Sequence, residues 1–417
     1  MIYGCIGEHL PHSFSKDIHA LIGSYEYDLL ELKPDQLSGF MSARDFKAIN
    51  VTIPYKQAVI PYLDGMDEAA QRIGAVNTIV NRNGRLFGFN TDYFGMKSLT
   101  ERTGIQLSDK KVLIFGTGGT SHTALAVAKA LGAKTVLKVS RTAKDNAVSY
   151  KEMYSLHTDA DIIINTTPCG MYPEIYHAPV QLDRFKSLSG VIDAVYNPLC
   201  TELILSARAR SIPASGGLYM LVAQAVAANE VFMDRPCNAE RTEEIFRQIS
   251  RDKENIVLTG MPSCGKTTVG KLLSKLTGRQ FIDVDACVVE REKRSISVIF
   301  SKYGEAFFRD AETAVIKDLA KLNGAVIATG GGAVLREENV RALKMNGRLY
   351  FLDRPPEMLS PSDDRPLALT QKAIAERYEE RLDRYLLTAD VRIRNDTRPL
   401  DAVKLILEAH GYENIGC

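Results

Sequence analysis

The stretch Asn255-Ile-Val-Leu-Thr-Gly-Met-Pro-Ser-Cys-Gly-Lys-Thr267 decides how the C-terminal part of this chain folds. Ile256-Val-Leu258 is a short apolar run stopped by a glycine, the pattern of a buried strand. Gly260 to Thr267 then reads Gly-x-x-x-x-Gly-Lys-Thr, and Val269, Leu272, Leu273 and Leu276 recur at helical spacing, predicting a core-facing stripe. Strand, glycine loop and helix in that order predict a P-loop. Gly260 and Gly265 would let the backbone N–H groups of the loop, Ser263 and Cys264 included, wrap phosphate oxygens at a helix N-terminus. Lys266 is expected at the β- and γ-phosphates of a nucleoside triphosphate, and Thr267, followed by Thr268, at a Mg²⁺ ion.

Upstream, the same order of elements occurs once more. Lys111–Phe115 predicts a buried strand, Gly116-Thr-Gly118-Gly119-Thr-Ser121 a glycine turn, and Thr123–Leu131 a helix closed by Gly132. Thr135–Val139, Asp161–Ile164 and Val191–Ala194 predict further strands of one sheet. The third glycine of a dinucleotide turn is replaced by Ser121, so the turn alone carries little. The end of the next strand says more. An acid for a ribose 2′-hydroxyl is missing there, and Ser140-Arg141-Thr142 with Lys144 suits a 2′-phosphate, which predicts NADP(H) over NAD. Asp234–Glu254 is charged, yet Ile245, Phe246 and Ile249 sit at helical spacing and predict a packed terminal helix.

The fold class expected is therefore α/β with parallel sheets. Residues 1–250 would form a two-lobed unit: a substrate lobe of about 1–95 with helices from about 218–250, and a Rossmann lobe of about 96–217. Residues 251–254 would be a linker and 255–417 a P-loop kinase-like domain. The chain of 417 residues has 45% apolar and 25% charged residues and a formal net charge of +1. That balance gives no electrostatic footprint for nucleic acid or an acidic membrane. No apolar run approaches the roughly 18 residues that span a bilayer. The N-terminus lacks the pattern of a signal peptide. The seven cysteines are dispersed, without zinc spacing, as reduced cytoplasmic thiols are. The oligomeric state stays open.

Around the P-loop the chemistry narrows. Phe281-Ile-Asp283-Val-Asp285 ends a strand on two carboxylates that share a side, one for Mg²⁺ and one for an acceptor hydroxyl. Phe308-Arg309-Asp-Ala-Glu312, Gly330-Gly331-Gly332, Arg365-Pro-Leu367 and Arg381-Leu-Asp-Arg-Tyr385 follow. Alone, Arg309/Glu312 reads equally well as an i, i+3 pair on a solvated face. In this order the motifs resemble the shikimate kinases over Asn255 to Glu408. The resemblance implies that Asp283 serves the Mg²⁺ shell with Thr267 and that Asp285 meets the 3-hydroxyl of shikimate. It implies Arg309 and Arg381 on the shikimate carboxylate, Glu312 orienting Arg309, Gly331 and Gly332 against the ring, and Arg365 meeting ATP phosphates from a lid. The lid segment from Pro355 to Arg365 is shorter than is usual in that family.

In the first half, Asn50-Val-Thr52-Ile-Pro-Tyr-Lys56, Gly74-Ala-Val-Asn77-Thr78 and Gly88-Phe-Asn90-Thr91-Asp92 each end on polar residues. Reducing a ketone needs a proton donor for the developing alkoxide, and Lys56 paired with Asp92 could supply it. With His12-Ser13-Phe-Ser15, Asn165-Thr-Thr167, Asp193-Ala-Val-Tyr196 and Gly217 to Gln224, the set resembles the shikimate dehydrogenases over residues 1 to about 250. The resemblance implies Ser13, Ser15 and Thr52, with Tyr196, at the substrate carboxylate, and Asn77 and Gln224 at ring hydroxyls. Lys56 and Asp92 become the catalytic pair. Gly116, Gly118, Gly119 and Gly217 would line the cofactor, and Ser140, Arg141, Thr142 and Lys144 the 2′-phosphate. Lys16 replaces a proline usual in the family, and His122 a small residue.

Together the two resemblances imply a bifunctional enzyme that reduces 3-dehydroshikimate and then phosphorylates shikimate. Three alternatives remain in the sequence: quinate and NAD in the first domain, a non-catalytic regulatory module in one half, or an ATPase or GTPase switch in the second.

Overall fold

A computed structural model describes residues 2–10, 13–23, 25–142, 146–236, 239–360 and 370–412. His12, Lys144 and Arg365, each expected at a site, lie outside them. The chain divides into two compact units, Met1–Ile249 and Ser250–Cys417. The division falls inside the helix Ala239–Lys253, so Arg251–Lys253, expected as a linker, are instead its last turn. The reason is local: Ile245 and Ile249 are buried at an i, i+4 spacing, and nothing in Arg251–Lys253 stops the helix they anchor.

The first unit contains two sheets. One is built from β1 (Tyr3–Gly7), β2 (Asp28–Glu31), β3 (Ala48–Val51), β4 (Gly65–Met66), β5 (Thr78–Arg82) and β6 (Arg85–Phe89), in the order β2-β1-β3-β5-β6-β4. Against expectation it is mixed: β1 pairs parallel with β2 and β3, but β3, β5 and β6 run antiparallel. The two-residue turn Asn83-Gly84, with φ of 56° and 81°, makes β5–β6 a hairpin, which a parallel crossover cannot be.

The second sheet is β7 (Lys111–Phe115), β8 (Thr135–Ser140), β9 (Ala147–Ser149), β10 (Ile162–Asn165), β11 (Gly190–Asp193) and β12 (Ala214–Ser215), ordered β12-β11-β10-β7-β8-β9. Its strand pairings are all parallel. Leu113, Phe115, Ile163 and Val191 bury one face while Val112, Ile114, Ile162 and Ile192 bury the other. Both faces are therefore covered, as the continuous apolar runs require. Strand order reverses at β7, so the loop Gly116–Gly118 opens at the switch point where such sheets bind ligands. The boundary expected near residue 95 falls inside the helix Thr91–Thr103, which packs on the helix Leu218–Met233. That packing needs Gly95, because a Cβ there would stand 2.6 Å from the Met220 carbonyl oxygen.

The second unit is one parallel sheet: β13 (Asn255–Thr259), β14 (Phe281–Asp283), β15 (Val326–Ala328), β16 (Gly347–Asp353) and β17 (Val391–Arg394), ordered β14-β15-β13-β16-β17. The central β13 lies between β15 and β16, so its loop again opens at a reversal of strand order. The following helix, Lys266–Thr277, buries Val269, Gly270 and Leu273. Leu276, expected on that stripe, is exposed, because the small Gly270 completes the core face and lets Phe281 close against the helix.

Candidate active sites

In the first unit the loop after β3 and the start of the helix Thr91–Thr103 meet. Lys56 Nζ donates to Asp92 Oδ2 at 2.5 Å, with both side chains largely buried. Asn90 caps this helix by accepting from Tyr93 N, which leaves the Asp92 carboxylate in the first turn, where the helix dipole favours it. Asn77, just before β5, donates to Thr91 Oγ1 at 3.0 Å and Gln224 Oε1 at 3.3 Å, and accepts from Thr91 N at 2.7 Å. Behind them Tyr27 OH donates to Asn50 Oδ1 at 2.6 Å, and Asn50 Nδ2 donates to Thr78 Oγ1 at 3.1 Å. These groups are almost fully buried, where a half-satisfied amide costs free energy. Lys56 is thus paired with Asp92, and Asn77 and Gln224 share one network with Thr91 and Asn50.

Ser13 and Tyr196 also come together. Burial pushes the Tyr196 phenol up to about 12, with the Ser13 hydroxyl beside it pulling the other way, and its ring packs on Phe14 at 5.2 Å. Ser15 N donates to Ser13 Oγ at 3.2 Å, and Ser15 begins the helix Ser15–Ile22. Thr52 approaches β1 so closely that a Cβ on Gly7 would stand 2.6 Å from Thr52 Cγ2.

The glycine turn after β7 faces this cluster. Gly116 has φ 112°, and a Cβ on Gly119 would lie 3.4 Å from Lys56 Cβ, so the turn lies over the lysine. A Cβ on Gly118 would meet nothing within 4 Å, leaving open space before the helix Gly119–Ala130. Open space at a helix N-terminus fits a pyrophosphate. Gly217 touches the Ala194 carbonyl oxygen, at 2.2 Å from a would-be Cβ. At the end of β8 the Ser140 hydroxyl donates to the Thr142 carbonyl, and Arg141 and Thr142 are exposed.

In the second unit a cavity of about 510 Å³ is lined by the P-loop, Asp283, Asp285, Arg309, the Gly330–Gly332 turn, Arg377 and Arg381. Ser263, Gly265, Lys266, Thr267 and Thr268 all line it; Gly260 and Cys264 lie buried behind. Gly260 and Gly265 have φ of 138° and 101°, conformations that favour glycine. Lys266 Nζ donates to the carbonyl oxygens of Gly260 and Met261, both at 2.8 Å. Thr267 Oγ1 donates to Asp283 Oδ2 at 3.1 Å, while Asp283 Oδ1 accepts from Asp285 N at 3.1 Å. A hydroxyl beside a carboxylate at the mouth of a phosphate loop fits a hydrated Mg²⁺.

Arg309 Nη1 donates to Glu312 Oε2 at 2.7 Å, and its Nη2 to Glu305 Oε1 at 3.1 Å. Glu312 is fully buried. Its carboxyl is raised by burial despite the pull of Arg309, while the two glutamates hold Arg309 above its usual value against burial. The solvated-face reading of this pair is therefore excluded. A side chain anywhere in the glycine triplet would displace its neighbours: a Cβ on Gly330 would stand 2.4 Å from Glu312 Oε1, on Gly331 2.7 Å from the Pro262 ring, and on Gly332 2.3 Å from Arg309 Nη2. Arg381 donates to the Gly331 carbonyl at 3.2 Å, and the Tyr385 hydroxyl donates to the same oxygen.

Asn395, Ile296, Phe300 and Arg377 escape sequence reading. Asn395 Nδ2, just past β17, donates to the Cys264 carbonyl at 2.6 Å and fixes the P-loop, with no local signal in the sequence. Ile296, Phe300 and Phe308 give the cavity an apolar wall. Arg377 lines it too, and its position four residues before Arg381 was the available sign.

Residues 262–410 match the family model described as shikimate kinase, and residues 5–79 that of the shikimate dehydrogenase substrate binding domain. A shikimate dehydrogenase (NADP(+)) of Clostridium beijerinckii is 34% identical over 261 residues, covering 58% of this chain and 96% of the relative. The crystal structure of shikimate dehydrogenase 1 from Peptoclostridium difficile, 34% identical, covers 60% of this chain and 97% of its own with a TM-score of 0.56. Shikimate 5-dehydrogenase from Thermus thermophilus in complex with NADP(H) and shikimate is 28% identical, covers 60% of this chain and 99% of its own, and has a TM-score of 0.53. The chain belongs to the shikimate dehydrogenase family and carries a shikimate kinase domain behind that region.

Proposed function

We propose that the first unit reduces 3-dehydroshikimate to shikimate with NADPH and that the second phosphorylates shikimate at its 3-hydroxyl with ATP and Mg²⁺. The carrying observation is that each unit gathers, within its own core, the charged groups of one of these reactions: Lys56 against Asp92 in the first, and Lys266, Asp283, Asp285, Arg309 and Arg381 around one cavity in the second.

Bound NADPH supplies a hydride to the carbonyl carbon. Lys56 delivers the proton that the carbonyl oxygen needs as charge develops there, and Asp92 holds the ammonium in place. Asn77 and Gln224 orient the ring hydroxyls; their amides are fixed by Thr91 and Leu221, so little order remains to be imposed. Ser13, Ser15, Thr52 and Tyr196 hold the carboxylate. Gly116, Gly118, Gly119 and Gly217 admit the dinucleotide, and Ser140, Arg141, Thr142 and Lys144 select the 2′-phosphate.

In the second unit Mg²⁺ and ATP supply an electrophilic γ-phosphoryl group. Lys266 would meet its oxygens, Thr267 and Asp283 would hold the metal shell, and the P-loop from Gly260 through Thr268 would cradle the phosphates, with Arg365, outside the described residues, as a further phosphate contact. Asp285 takes the hydrogen bond, and then the proton, of the attacking hydroxyl. Arg309, fixed by Glu312, and Arg381 clamp the carboxylate with planar donors. Gly331 and Gly332 allow the ring to approach backbone.

Nothing in the charge balance calls for nucleic acid or membrane partners, and no described helix is long and apolar enough to cross a membrane. Among the described residues Cys5, Cys169, Cys200, Cys264 and Cys287 form no disulfide, which accords with a cytoplasmic location. The test is a coupled assay of the whole chain with 3-dehydroshikimate, NADPH, ATP and Mg²⁺, repeated with NADH and quinate. NADPH-dependent formation of shikimate 3-phosphate is expected; failure of NADPH oxidation, or of phosphate transfer to added shikimate, removes the corresponding half of the assignment.

A further inference from the structure

The kinase cavity holds one guanidinium that the chemistry described above does not use. Arg377 lines the cavity one helical turn before Arg381 on the helix Gln371–Thr388. Its Nη1 is buried and has no hydrogen-bond partner among the described residues. A buried donor on a charged group without a partner is costly, and costly groups that face a cavity are characteristic of ligand sites.

Charge accounting around the cavity shows what is missing. Arg309 is bracketed by Glu305 and Glu312, so its positive charge is more than offset within the protein. Lys266 rests on carbonyl oxygens beside the phosphate loop. Asp283 and Asp285 face the metal and hydroxyl side. Arg381 donates to a neutral carbonyl, that of Gly331, and has no carboxylate partner among the described residues. Burial, then the like charges of Arg377 and Arg309, hold Arg381 below its usual range. Two guanidiniums thus stand at i, i+4 with no carboxylate partner for either among the described residues.

We propose that Arg377 and Arg381 form one oxyanion subsite, in which Arg377 is a further binding residue of the kinase cavity. The anion is a carboxylate or a phosphate, and the offset charge of Arg309 favours the carboxylate of the ring substrate. This rests on the kinase reading given above.

The test uses the full chain as wild type, Arg377→Leu and Arg377→Lys. Shikimate binding and Mg·ADP binding are measured separately by calorimetry, alongside steady-state kinase kinetics. For Arg377→Leu a loss of about tenfold or more in shikimate affinity is expected, the scale of one charge-assisted hydrogen bond. KM for shikimate should rise by a similar factor, with kcat changed less, and Arg377→Lys should restore part of the affinity. A loss in Mg·ADP affinity or in KM for ATP alone supports the subsite and assigns it to phosphate. Unchanged affinities for both ligands in Arg377→Leu overturn the proposal. Dehydrogenase activity and thermal unfolding of the same variant show whether the chain is folded. If the wild-type chain binds no shikimate at its kinase unit, the kinase reading fails first, independently of Arg377.

Discussion

At the first site Lys56 and Asp92 already hold each other at 2.5 Å, and Asn77, Thr91 and Gln224 are bonded into one buried network. At the second, Lys266 rests on the carbonyls of Gly260 and Met261, and Arg377 has a buried nitrogen without a partner among the described residues. Proton delivery to a carbonyl needs one well-placed donor, which can be fixed in advance by its counter-ion. Phosphoryl transfer needs an excess of positive charge that only the incoming anions can balance. A site for a polyanion therefore keeps unbalanced cations, whereas a site for hydride transfer need not. The glycine turns differ the other way: the space at Gly118 is open, while the space at Gly330, Gly331 and Gly332 is filled by Glu312, Asp285, Pro262 and Arg309.

The sharpest way to break this comparison is to remove one reacting group from each site. Lys56→Ala should lower dehydrogenase kcat by about 10³-fold while leaving the kinase nearly intact, and Asp285→Asn should do the reverse. Steady-state assays of both activities on each variant decide it; loss of both in either variant would mean the sites are not independent. Next come the glycines. Gly332→Ala places a Cβ 2.3 Å from Arg309 Nη2, so Arg309 must leave Glu305 and Glu312. A fall of about a hundredfold in kinase kcat/KM for shikimate, with the fold retained, is expected. Gly118→Ala meets no atom within 4 Å, so thermal stability should hold and any loss should appear in KM for NADPH.

Arg141→Ala should raise KM for NADPH about tenfold and leave KM for NADH unchanged, the scale of one charge-assisted hydrogen bond to a phosphate. An equal rise for both cofactors would place Arg141 outside the 2′-phosphate site. A last prediction concerns stability. Each unit buries a histidine: His19, whose Nδ1 meets Tyr25 OH at 2.7 Å, and His410, whose Nδ1 meets Tyr350 OH at 2.9 Å. Burial pushes both down to about 3, helped at His410 by Arg279 and Arg348. A folded-state value below the unfolded one means that the unfolded chain binds more protons between about pH 3 and 6.5. Stability should then be lost as pH falls through that window, by up to about 1.4 kcal/mol per pH unit for each histidine. Denaturant unfolding at several pH values checks this, and His19→Phe and His410→Phe should each flatten the acid limb of one unit.

Legibility in the sequence followed locality. The P-loop, the strand before it and the turn after β7 are set by residues adjacent in the chain, and the steric freedom of Gly260, Gly265 and Gly116 is written in their identity. Arg309 and Glu312 were visible as a pair, but not as a buried one, since an i, i+3 spacing says nothing of which face of the helix is covered. The mixed first sheet was missed although Asn83-Gly84 carried the hairpin signal. Arg377 was missed because its i, i+4 spacing to Arg381 is common on a charged helix and points to a site only once the cavity beside it is seen.

The sequence by itself determined the α/β class, the two glycine loops with their helices, the expectation of NADP and ATP, and most of the side chains gathered at both sites, because short-range sterics and motif chemistry depend only on neighbours in the chain. Tertiary structure alone decided that Lys56 meets Asp92 across 36 residues, that Asn395 fixes the P-loop from just past β17, that Gly332 is held open for Arg309, and that Arg377 joins Arg381 without a counter-ion among the described residues. Those outcomes depend on burial and on distances between segments remote in sequence, and both exist only once the cores have packed.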